Sequence, residues 1–534
     1  MANEEFDAIV VGAGSAGCVV ARRLSEIPNM RVLLLEAGGA DSSLWMKLPI
    51  GYYKTIFDSQ YSWRYQGAPE LGLNGRSIEH PRGKVLGGSS SINGLVYIRG
   101  ARSDYDSWGE VTKDKDWCYE NVLPLFRLSE CNHDIQDKFH GSNGPLQVAF
   151  PDYKNEFLDA FTSSAKDLGV PFNPDFNGKS LDGVGRFQLT ATRGIRSSTS
   201  QAFLRPKAGS LTVRTHQHVN RVLIEAGRAA GVEIINSNRG IERINCTYEI
   251  VLSAGAISTP KLLQLSGIGP VDVLRKIGVH PVVQNDLVGK GLQDHLQVRI
   301  AVETDPEHSL NGLQNSWRRR TRAVLDFARS RSGDFTIGAG VVGLFMRSRA
   351  SLFAPDIQFH VIPFSAALPG KLHEVGGVTL SVCALQPKSR GFVQATSQDP
   401  RVPPVVQCNY LEVQEDILPL REGLRMAEQL TNSASLAPMV KSLVFPSQLD
   451  FKSNASLDNH IRSSGSTIFH PVGTCQMGHS GSGVVDSRMR VHGVRGLRVA
   501  DASIMPHIVS GNTNAACIMI GERASMLIAS DLSR

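Results

Sequence analysis

The chain has 534 residues, 41% hydrophobic and 20% charged, so it can bury a large core and is not disordered, coiled-coil or collagen-like as a whole. Its net charge, 56 − 50 = +6, is small for this length and gives no support for nucleic-acid binding. The 51 glycines follow no repeat and predict a loop-rich globular protein whose backbone approaches a ligand closely.

Three features predict a cytoplasmic location. The eight cysteines are scattered without C-x-x-C or zinc-ligand spacing, which predicts reduced thiols and no metal site. The first residues, MANEEFDAIVV, carry acids where a secretory signal carries basic residues. No run reaches about 18 apolar residues, so no transmembrane helix is expected.

The first predicted unit is a strand, a glycine turn, a helix and a second strand. Residues 6–11 (FDAIVV) and 31–35 (RVLLL) are typical of buried strands, and residues 18–24 (CVVARRL) of a helix. Between them lies G-x-G-x-x-G, and Glu36 ends the second strand. This order predicts a dinucleotide-binding unit, without distinguishing NAD from FAD.

Each part of this unit has a physical role. Gly12 permits the tight turn, Gly14 lets the backbone approach a pyrophosphate, and Gly17 lets the helix pack on the strand. The helix N-terminus offers free N–H groups and the positive end of its dipole. Glu36 is placed to accept hydrogen bonds from a ribose, and its charge disfavours a 2′-phosphate.

Residues 80–100, HPRGKVLGGSSSINGLVYIRG, form a second glycine-rich segment. Five glycines and three serines predict a loop that wraps a ligand with backbone donors. The alternative is a mobile surface loop, which Asn93 and the apolar Leu86, Ile92 and Val96 disfavour.

This loop, from Gly83 to Asn93 and on to Asp106, resembles the first signature of the glucose-methanol-choline (GMC) flavin oxidoreductase family. Residues 255–269, GAISTPKLLQLSGIG, resemble the second signature with every fixed position filled. The resemblance spans nearly the whole chain in the family's order and implies FAD as the cofactor. Its further matches are residues 291–295, 389–391, 399–400, 409–411, 470–478 and 511–514.

The resemblance also implies how FAD is held. The glycines of the turn would lie along the pyrophosphate, Glu36 at the adenosine ribose and the Val219 backbone at adenine. Some members attach the flavin through a histidine whose position here is Ile92, which has no nucleophile, so FAD is expected to bind non-covalently. The expected cofactor-binding residues are Gly12, Gly14, Ser15, Ala16, Gly17, Glu36, Ala37, Gly83, Leu86, Gly87, Gly88, Ser89, Asn93, Gly94, Val96, Val219, Ala254, Gly255, Asp501, Ala502, Asn512 and Thr513.

Two C-terminal motifs carry the candidate catalytic residues. His470 is followed by Pro471, which presents the imidazole on a rigid turn where it can accept a proton. Residues 511–514 (GNTN) precede an apolar run, 515–520, that predicts a buried helix with Thr513 or Asn514 as N-cap. From these residues alone, a structural histidine and ordinary turn chemistry remain alternatives.

The resemblance places His470 at the family's active-site histidine and Asn512 at its His-or-Asn partner. It implies that His470 takes the hydroxyl proton of an alcohol, hydride passes to flavin N5, and Asn512 orients the oxygen. The product would be an aldehyde or ketone, with electrons passed to a quinone, another acceptor or O₂. The alternatives are a hydroxynitrile lyase-like or photodecarboxylase-like member, or a non-catalytic flavoprotein.

Three further residues are interpreted as structural. His295 is expected to pack near the flavin domain rather than to do chemistry, and His507 is given the same interpretation. Cys475 is typical of a small buried hydrophobic residue, since nothing nearby indicates an activated thiolate.

The motif order predicts two interleaved domains with an α/β fold. A Rossmann-like FAD-binding domain would comprise residues 1–153, 194–298 and 464–534. A substrate-binding domain, an antiparallel sheet flanked by helices, would comprise residues 154–193 and 299–463. Strands are expected there at residues 379–385 (TLSVCAL) and 391–395 (GFVQA).

Residues 316–331, SWRRRTRAVLDFARSR, carry six arginines and one acid. The residues that offer an apolar side are Trp317, Val324, Leu325, Phe327 and Ala328. A basic amphipathic helix can lie on an anionic membrane. A solvated helix face of the substrate domain is the other interpretation. The expected partners are a small-molecule alcohol and an electron acceptor, with no nucleic acid.

Overall fold

Two seven-stranded sheets, each with its own hydrophobic core, organise the molecule. The structure is a computed structural model that describes residues 4–205, 209–236, 240–368 and 371–533. Among these residues, no helix combines the length and apolar character needed to cross a membrane. All eight cysteines are free thiols.

The first sheet contains the predicted dinucleotide-binding unit. Glu5–Val11 lies between Val32–Leu35 and Gly240–Leu252, parallel to both. Val32–Leu35 (VLLL) is an unbroken apolar run and is buried throughout, as expected for a parallel strand covered on both faces. In spatial order the sheet consists of Leu211–Arg214, Val32–Leu35, Glu5–Val11, Gly240–Leu252, Arg228–Asn236 and His218–Glu225, with Leu497–Val499 beside Gly240–Leu252.

The second sheet is antiparallel throughout. The strand expected at 379–385 is present as Gly377–Ala384, and helix Ile417–Thr431 covers it so closely that a Cβ on Gly423 would lie 2.2 Å from Val382 Cγ1. In spatial order the sheet consists of Ser442–Phe445, Leu296–Glu303, Gly377–Ala384, Ile357–Ile362, Val342–Met346 and Gly183–Arg186, with Ser466–Thr467 beside Leu296–Glu303.

Two details differ from the sequence expectation. The strand at 391–395 is present as Gly391–Gln394, but it pairs with Lys290–Leu292 and Val405–Gln407 in a separate three-stranded sheet. Strand Leu296–Glu303 crosses the predicted domain boundary at 298/299. A pattern of apolar residues indicates a strand but not its hydrogen-bond partner, so neither detail follows from local sequence. The division into two domains stays a prediction.

The N-termini of two helices meet beside the first sheet. The helix expected after the glycine turn is Ser15–Leu24, and the C-terminal helix is Asn514–Leu532. Ser15 Oγ donates to Asn514 Oδ1 at 2.7 Å. The N-cap of the C-terminal helix is Thr513, but its side chain makes no capping hydrogen bond.

The remaining helices and ribbons surround these elements. The other α-helices are Leu44–Lys47, Tyr52–Thr55, Arg102–Thr112, Tyr119–Ser129, Glu156–Asp167, Gly255–Leu265, Val271–Lys276, Gly312–Asn315, Trp317–Ser330, Ile417–Thr431 and Asn454–Ser464. The two-stranded ribbons are Tyr65–Glu70 with Arg76–His80, Glu130–Asn132 with Leu146–Val148, Ala191–Thr192 with Ile195–Arg196, Ile268–Gly269 with Val283–Gln284, and Ala366–Leu368 with Lys371–Leu372.

Candidate active site

An elongated cavity extends between the two sheets from Glu36 to His470 and Asn512. Both candidate catalytic residues line it, as do most of the expected cofactor-binding residues. Those are Gly12, Gly14, Ser15, Ala16, Glu36, Ala37, Gly83, Gly88, Ser89, Asn93, Gly94, Val96, Val219, Ala254, Gly255, Asp501, Ala502, Asn512 and Thr513.

Three expected cofactor residues do not reach the cavity wall but support it from behind. A Cβ on Gly17 would lie 1.9 Å from Gly12 O, so Gly17 provides the close contact between helix and turn. Gly87 N–H donates to Ala13 O at 2.7 Å and joins the two glycine loops. Leu86 packs against the first core.

The two glycine loops form a backbone cradle of the kind a pyrophosphate requires. Gly12 has φ +100°, and a Cβ there would lie 2.5 Å from Ser253 O. Gly88 has φ +53°, and its Cβ would lie 2.7 Å from Gly14 Cα. The first turn of helix Ser15–Leu24 holds no acid and its N-cap makes no side-chain hydrogen bond. Its N–H groups and positive dipole end are therefore available to an anionic ligand.

Glu36 lies at the far end of the cavity. Its Oε2 accepts from Ala13 N at 3.0 Å, and its Oε1 accepts from Gly38 N at 2.8 Å. Burial raises the pKa of Glu36 to about 7, against the effect of these hydrogen bonds. Each carboxylate oxygen has a second lone pair, so the group can still accept hydrogen bonds from two ribose hydroxyls.

Asn93 and Asp501 line the cavity and also hold loops in place. Asn93 Oδ1 accepts from Arg196 Nη1 at 2.7 Å, and burial lowers the pKa of Arg196 to about 9. Asp501 Oδ2 accepts from Gly255 N at 2.8 Å, and its Oδ1 accepts from Ser503 N at 2.8 Å. No local sequence pattern marks Arg196, whose partners lie about a hundred residues away.

His470 and Asn512 meet at the opposite end of the cavity. His470 Nε2 lies 3.2 Å from Asn512 Nδ2. Asn512 Oδ1 accepts from Gln358 Nε2 at 3.3 Å, which orients the amide so that its NH₂ group faces the imidazole. The facing atom of His470 must therefore be an acceptor.

His295 independently assigns the same tautomer to His470. His295 Nε2 lies 2.9 Å from Leu385 O, and only an N–H can bind a carbonyl. Burial lowers the pKa of His295 to about 4, so the ring is neutral and its Nδ1 is an acceptor. That Nδ1 lies 3.0 Å from His470 Nδ1, which must carry the hydrogen. The lone pair of His470 Nε2 therefore faces the cavity.

Sequence reasoning missed this contact, because His295 was expected only to pack near the flavin domain. Its ring instead makes a T-shaped contact with that of His470, with centroids 5.3 Å apart. The one local signal is its place directly before strand Leu296–Glu303. His507 and Cys475 agree with their structural interpretation: the His507 backbone accepts from Trp108 Nε1, and burial raises the Cys475 thiol pKa well above its usual range.

Asp294 positions the main chain at His470. Its Oδ1 accepts from the backbone N–H groups of His295 at 3.0 Å and His470 at 2.8 Å. Phe469 has φ +69°, a strained value for a residue with a side chain, and its N–H donates to Thr467 Oγ1 at 2.7 Å. Thr467 in turn donates to Asp294 Oδ2. This network holds the strained turn that presents His470.

The surroundings of His470 keep its ring neutral. Burial lowers the pKa of His470 well below 6.5, and the positive charge of nearby Arg82 lowers it further. Because no carboxylate hydrogen-bonds to the ring among the described residues, nothing offsets this effect. A buried neutral imidazole with its lone pair facing a cavity can act as a general base.

Comparison with known proteins adds the family context. Residues 6–297 and 387–521 match family models described as GMC oxidoreductase. The chain is 38% identical over 531 residues to an alcohol dehydrogenase [acceptor] of Pseudomonas putida, covering 98% of this chain and 95% of that protein. It is 36% identical to the mitochondrial choline dehydrogenase of Mus musculus, covering 98% and 89%.

Solved structures with the same fold include two oxidases. The pyridoxine 4-oxidase from Mesorbium loti superposes with a TM-score of 0.87 at 29% identity, covering 98% of both chains. A variant of Aspergillus oryzae formate oxidase superposes with a TM-score of 0.93 at 26% identity, covering 100% of both chains.

Proposed function

The chain belongs to the GMC oxidoreductase family of FAD-dependent enzymes acting on alcohols, and we propose that His470 is the base that takes the alcohol's hydroxyl proton. The observation that carries this proposal is the acceptor tautomer of His470, whose Nε2 faces Asn512 Nδ2 at 3.2 Å. The product would be an aldehyde or ketone.

The cavity fits FAD without a covalent bond. The cradle of Gly12, Gly14 and Gly88 suits the pyrophosphate, and Glu36 suits the adenosine ribose. When bound, FAD supplies the acceptor for the hydride that leaves the alcohol carbon. Ile92 lines the cavity at the attachment position and offers no nucleophile.

In the proposed mechanism the substrate hydroxyl lies within hydrogen-bond reach of both His470 Nε2 and Asn512 Nδ2 and replaces the contact between them. His470 accepts the proton, while His295 Nδ1 continues to accept the N–H on the other side of the ring. Asn512 donates to the oxygen as negative charge develops on it. The uncapped N-terminus of helix Asn514–Leu532 lies beside this site and favours negative charge nearby.

An anaerobic panel of alcohols tests the proposed function. We expect at least one alcohol to bleach the flavin, whereas a lyase or an inert flavoprotein would stay yellow with every alcohol. Reoxidation by O₂ or by a quinone then distinguishes an oxidase from a dehydrogenase. Acid denaturation should release yellow FAD to the supernatant, and colour kept in the protein pellet would contradict non-covalent binding.

Helix Trp317–Ser330 supports a second proposal, which is peripheral contact with an anionic membrane. A quinone in that membrane could take the electrons from the reduced flavin. Ala323 is buried against the protein, while Trp317, Val324 and Leu325 are 66%, 54% and 53% exposed. Helical spacing places these three on the outward side, flanked by exposed arginines at 318, 320, 322 and 329. An apolar strip between basic flanks suits a lipid surface better than bulk water.

Vesicle sedimentation tests the membrane contact. We expect binding to vesicles containing phosphatidylserine at low salt, weaker binding at high salt, and loss of binding in the double variant Trp317→Ser, Leu325→Ser. Leu71→Ser is the matched control, since Leu71 is 93% exposed outside this helix. Equal solubility with and without these vesicles at low salt would contradict the proposal. The cytoplasmic location stays a prediction.

A further inference from the structure

Arg299 projects from the second sheet into the cavity, where its charge interacts with nearby Tyr52. It lines the cavity and is accessible there, although burial in the protein lowers its pKa. Among the described residues, no side-chain hydrogen bond or ion pair holds this guanidinium. Arginine stays charged in proteins, so this guanidinium can offer its donors to an anionic ligand.

The other cations of the cavity wall are engaged by the protein. Arg82 Nη1 donates to Phe469 O at 2.9 Å, and Lys261 Nζ donates to Val402 O at 2.7 Å. Arg401 forms an ion pair with Asp399 at 2.7 Å. Arg299 therefore differs from these cations in having its donors available to a ligand.

Arg299 lies in the part of the cavity that the second sheet lines, the same part that contains His470. His295, Gln297 and Arg299 alternate along one strand face, and His295 contacts His470. Ser381, the cross-strand neighbour of Arg299, and His360 beside Ser381 also line the cavity. Arg299 lies four residues along the chain from His295, which places their Cα atoms about 13 Å apart. The arginine side chain is long, so its guanidinium can lie closer to His470 than its Cα does.

The acidic residues of the cavity wall lie away from the second sheet. Glu36 and Asp501 are its acidic residues, and both accept backbone hydrogen bonds from the loops around the expected cofactor. No cavity residue on the second sheet is acidic. Arg299 therefore adds a positive charge to this end of the cavity wall, which disfavours a cationic alcohol.

Building on the proposed function, we infer that the substrate is a hydroxy acid whose carboxylate binds Arg299 while its hydroxyl lies at His470. The fork of the guanidinium can hold a carboxylate through two parallel hydrogen bonds. The spacing along the strand places the carboxylate several bonds from the reacting carbon. A quaternary ammonium alcohol, such as the choline named for some relatives, carries a positive charge that the Arg299 guanidinium would repel.

Binding of hexanoate to the oxidised holoenzyme tests Arg299 without turnover. Hexanoate has no hydroxyl, and its binding is measured by calorimetry or by perturbation of the flavin spectrum. Arg299→Met should weaken binding about 10- to 100-fold, the effect of losing hydrogen bonds to a charged group. Arg275→Met removes the same charge from an exposed position on helix Val271–Lys276 and should leave binding unchanged. Equal hexanoate affinity in wild type and Arg299→Met would overturn the inference.

Turnover supplies the second test. The ratio of kcat/KM for 6-hydroxyhexanoate to that for hexane-1,6-diol should exceed one and fall about 10- to 100-fold in Arg299→Met. Arg299→Lys should retain part of the preference because it keeps the charge but loses the fork. A ratio unaffected by either substitution would refute the carboxylate site. If no alcohol bleaches the flavin, the proposed oxidation fails, while hexanoate binding still decides the role of Arg299.

Discussion

His470 and His140 are both buried, yet their surroundings change their pKa values in opposite directions. The ring of His470 contacts a second histidine and an amide, and burial lowers its pKa well below 6.5. His140 Nδ1 lies 3.0 Å from Glu130, and its Nε2 lies 3.0 Å from Asp175. Although burial opposes its charging, these two carboxylates raise the pKa of His140 to about 9.

The difference shows how the surroundings hold one histidine neutral in one region and another histidine charged in a second region. An acid is also close to His470, but both oxygens of Asp294 are used by backbone N–H groups and hydroxyls. Asp294 therefore holds the main chain of His470 and leaves the ring without a counter-charge.

Replacing His470 should have the largest effect. His470→Ala should keep FAD but reduce it with alcohol about 10²-fold or more slowly, because the base is lost. Stopped-flow flavin bleaching under anaerobic conditions measures this rate. His140→Gln is the matched control and should reduce FAD at the wild-type rate, and a wild-type rate for His470→Ala would exclude the proposed base.

Replacing Asn512 should slow flavin reduction less than replacing His470. Asn512→Ala removes the donor to the developing alkoxide and should slow flavin reduction about 10- to 100-fold. Asn512→His should retain more of the rate, since an imidazole N–H can replace the amide donor. If Asn512→Ala and wild type have equal rates in the same stopped-flow assay, Asn512 does not bind the reacting oxygen.

His295 is expected to act as a positioning residue. His295→Phe should slow flavin reduction about 10-fold, because only Asn512 then selects the productive tautomer of His470. The acid limb of the pH–rate profile should also move to lower pH, since the neutral His295 Nδ1 accepts the His470 Nδ1–H and this hydrogen bond favours the protonated ring. A purely structural role for His295 would change the FAD content or melting temperature but leave the acid limb in place.

The smallest effect concerns stability rather than catalysis. Because the pKa of His140 is raised in the folded protein, its contribution is fully present below about pH 6.5 and is lost as pH rises through about 9. His140→Gln should destabilise the protein by about 1–2 kcal/mol at pH 6. Melting temperatures at pH 6 and pH 9.5 measure this, and an equal deficit at both values would rule out the charged form.

Much of the first sheet and its glycine loops could be predicted from sequence, because short local patterns of residues specify these elements. The apolar runs and glycine spacing of residues 6–36 specify strand, turn and helix, and the structure shows them within a few residues of expectation. Most of the expected cofactor residues line one cavity for the same reason. Gly17 does not, because its spacing serves helix packing rather than contact with the cavity.

The part of the cavity around His470 and the second sheet could not be predicted in this way, because it is built from contacts between residues distant in sequence. His295 approaches His470 across 175 residues, and only the docking of the second sheet brings them together. Arg299 looks like an ordinary polar interruption in an apolar strand until that face is seen to line the cavity. The strand at 391–395 was expected correctly, but its partners depend on loops that no local pattern specifies.

Proton transfer to a neutral His470 is tested most directly by the pH dependence of anaerobic flavin reduction in the wild-type enzyme. Because the pKa of His470 is lowered, the base stays unprotonated as pH falls through 6.5. We therefore expect alcohol to bleach the flavin with a rate constant that is level from pH 8 to below 6.5 and falls only at more acidic pH. Failure of every alcohol to bleach the flavin, or a rate already halved at or above pH 6.5, would contradict this mechanism.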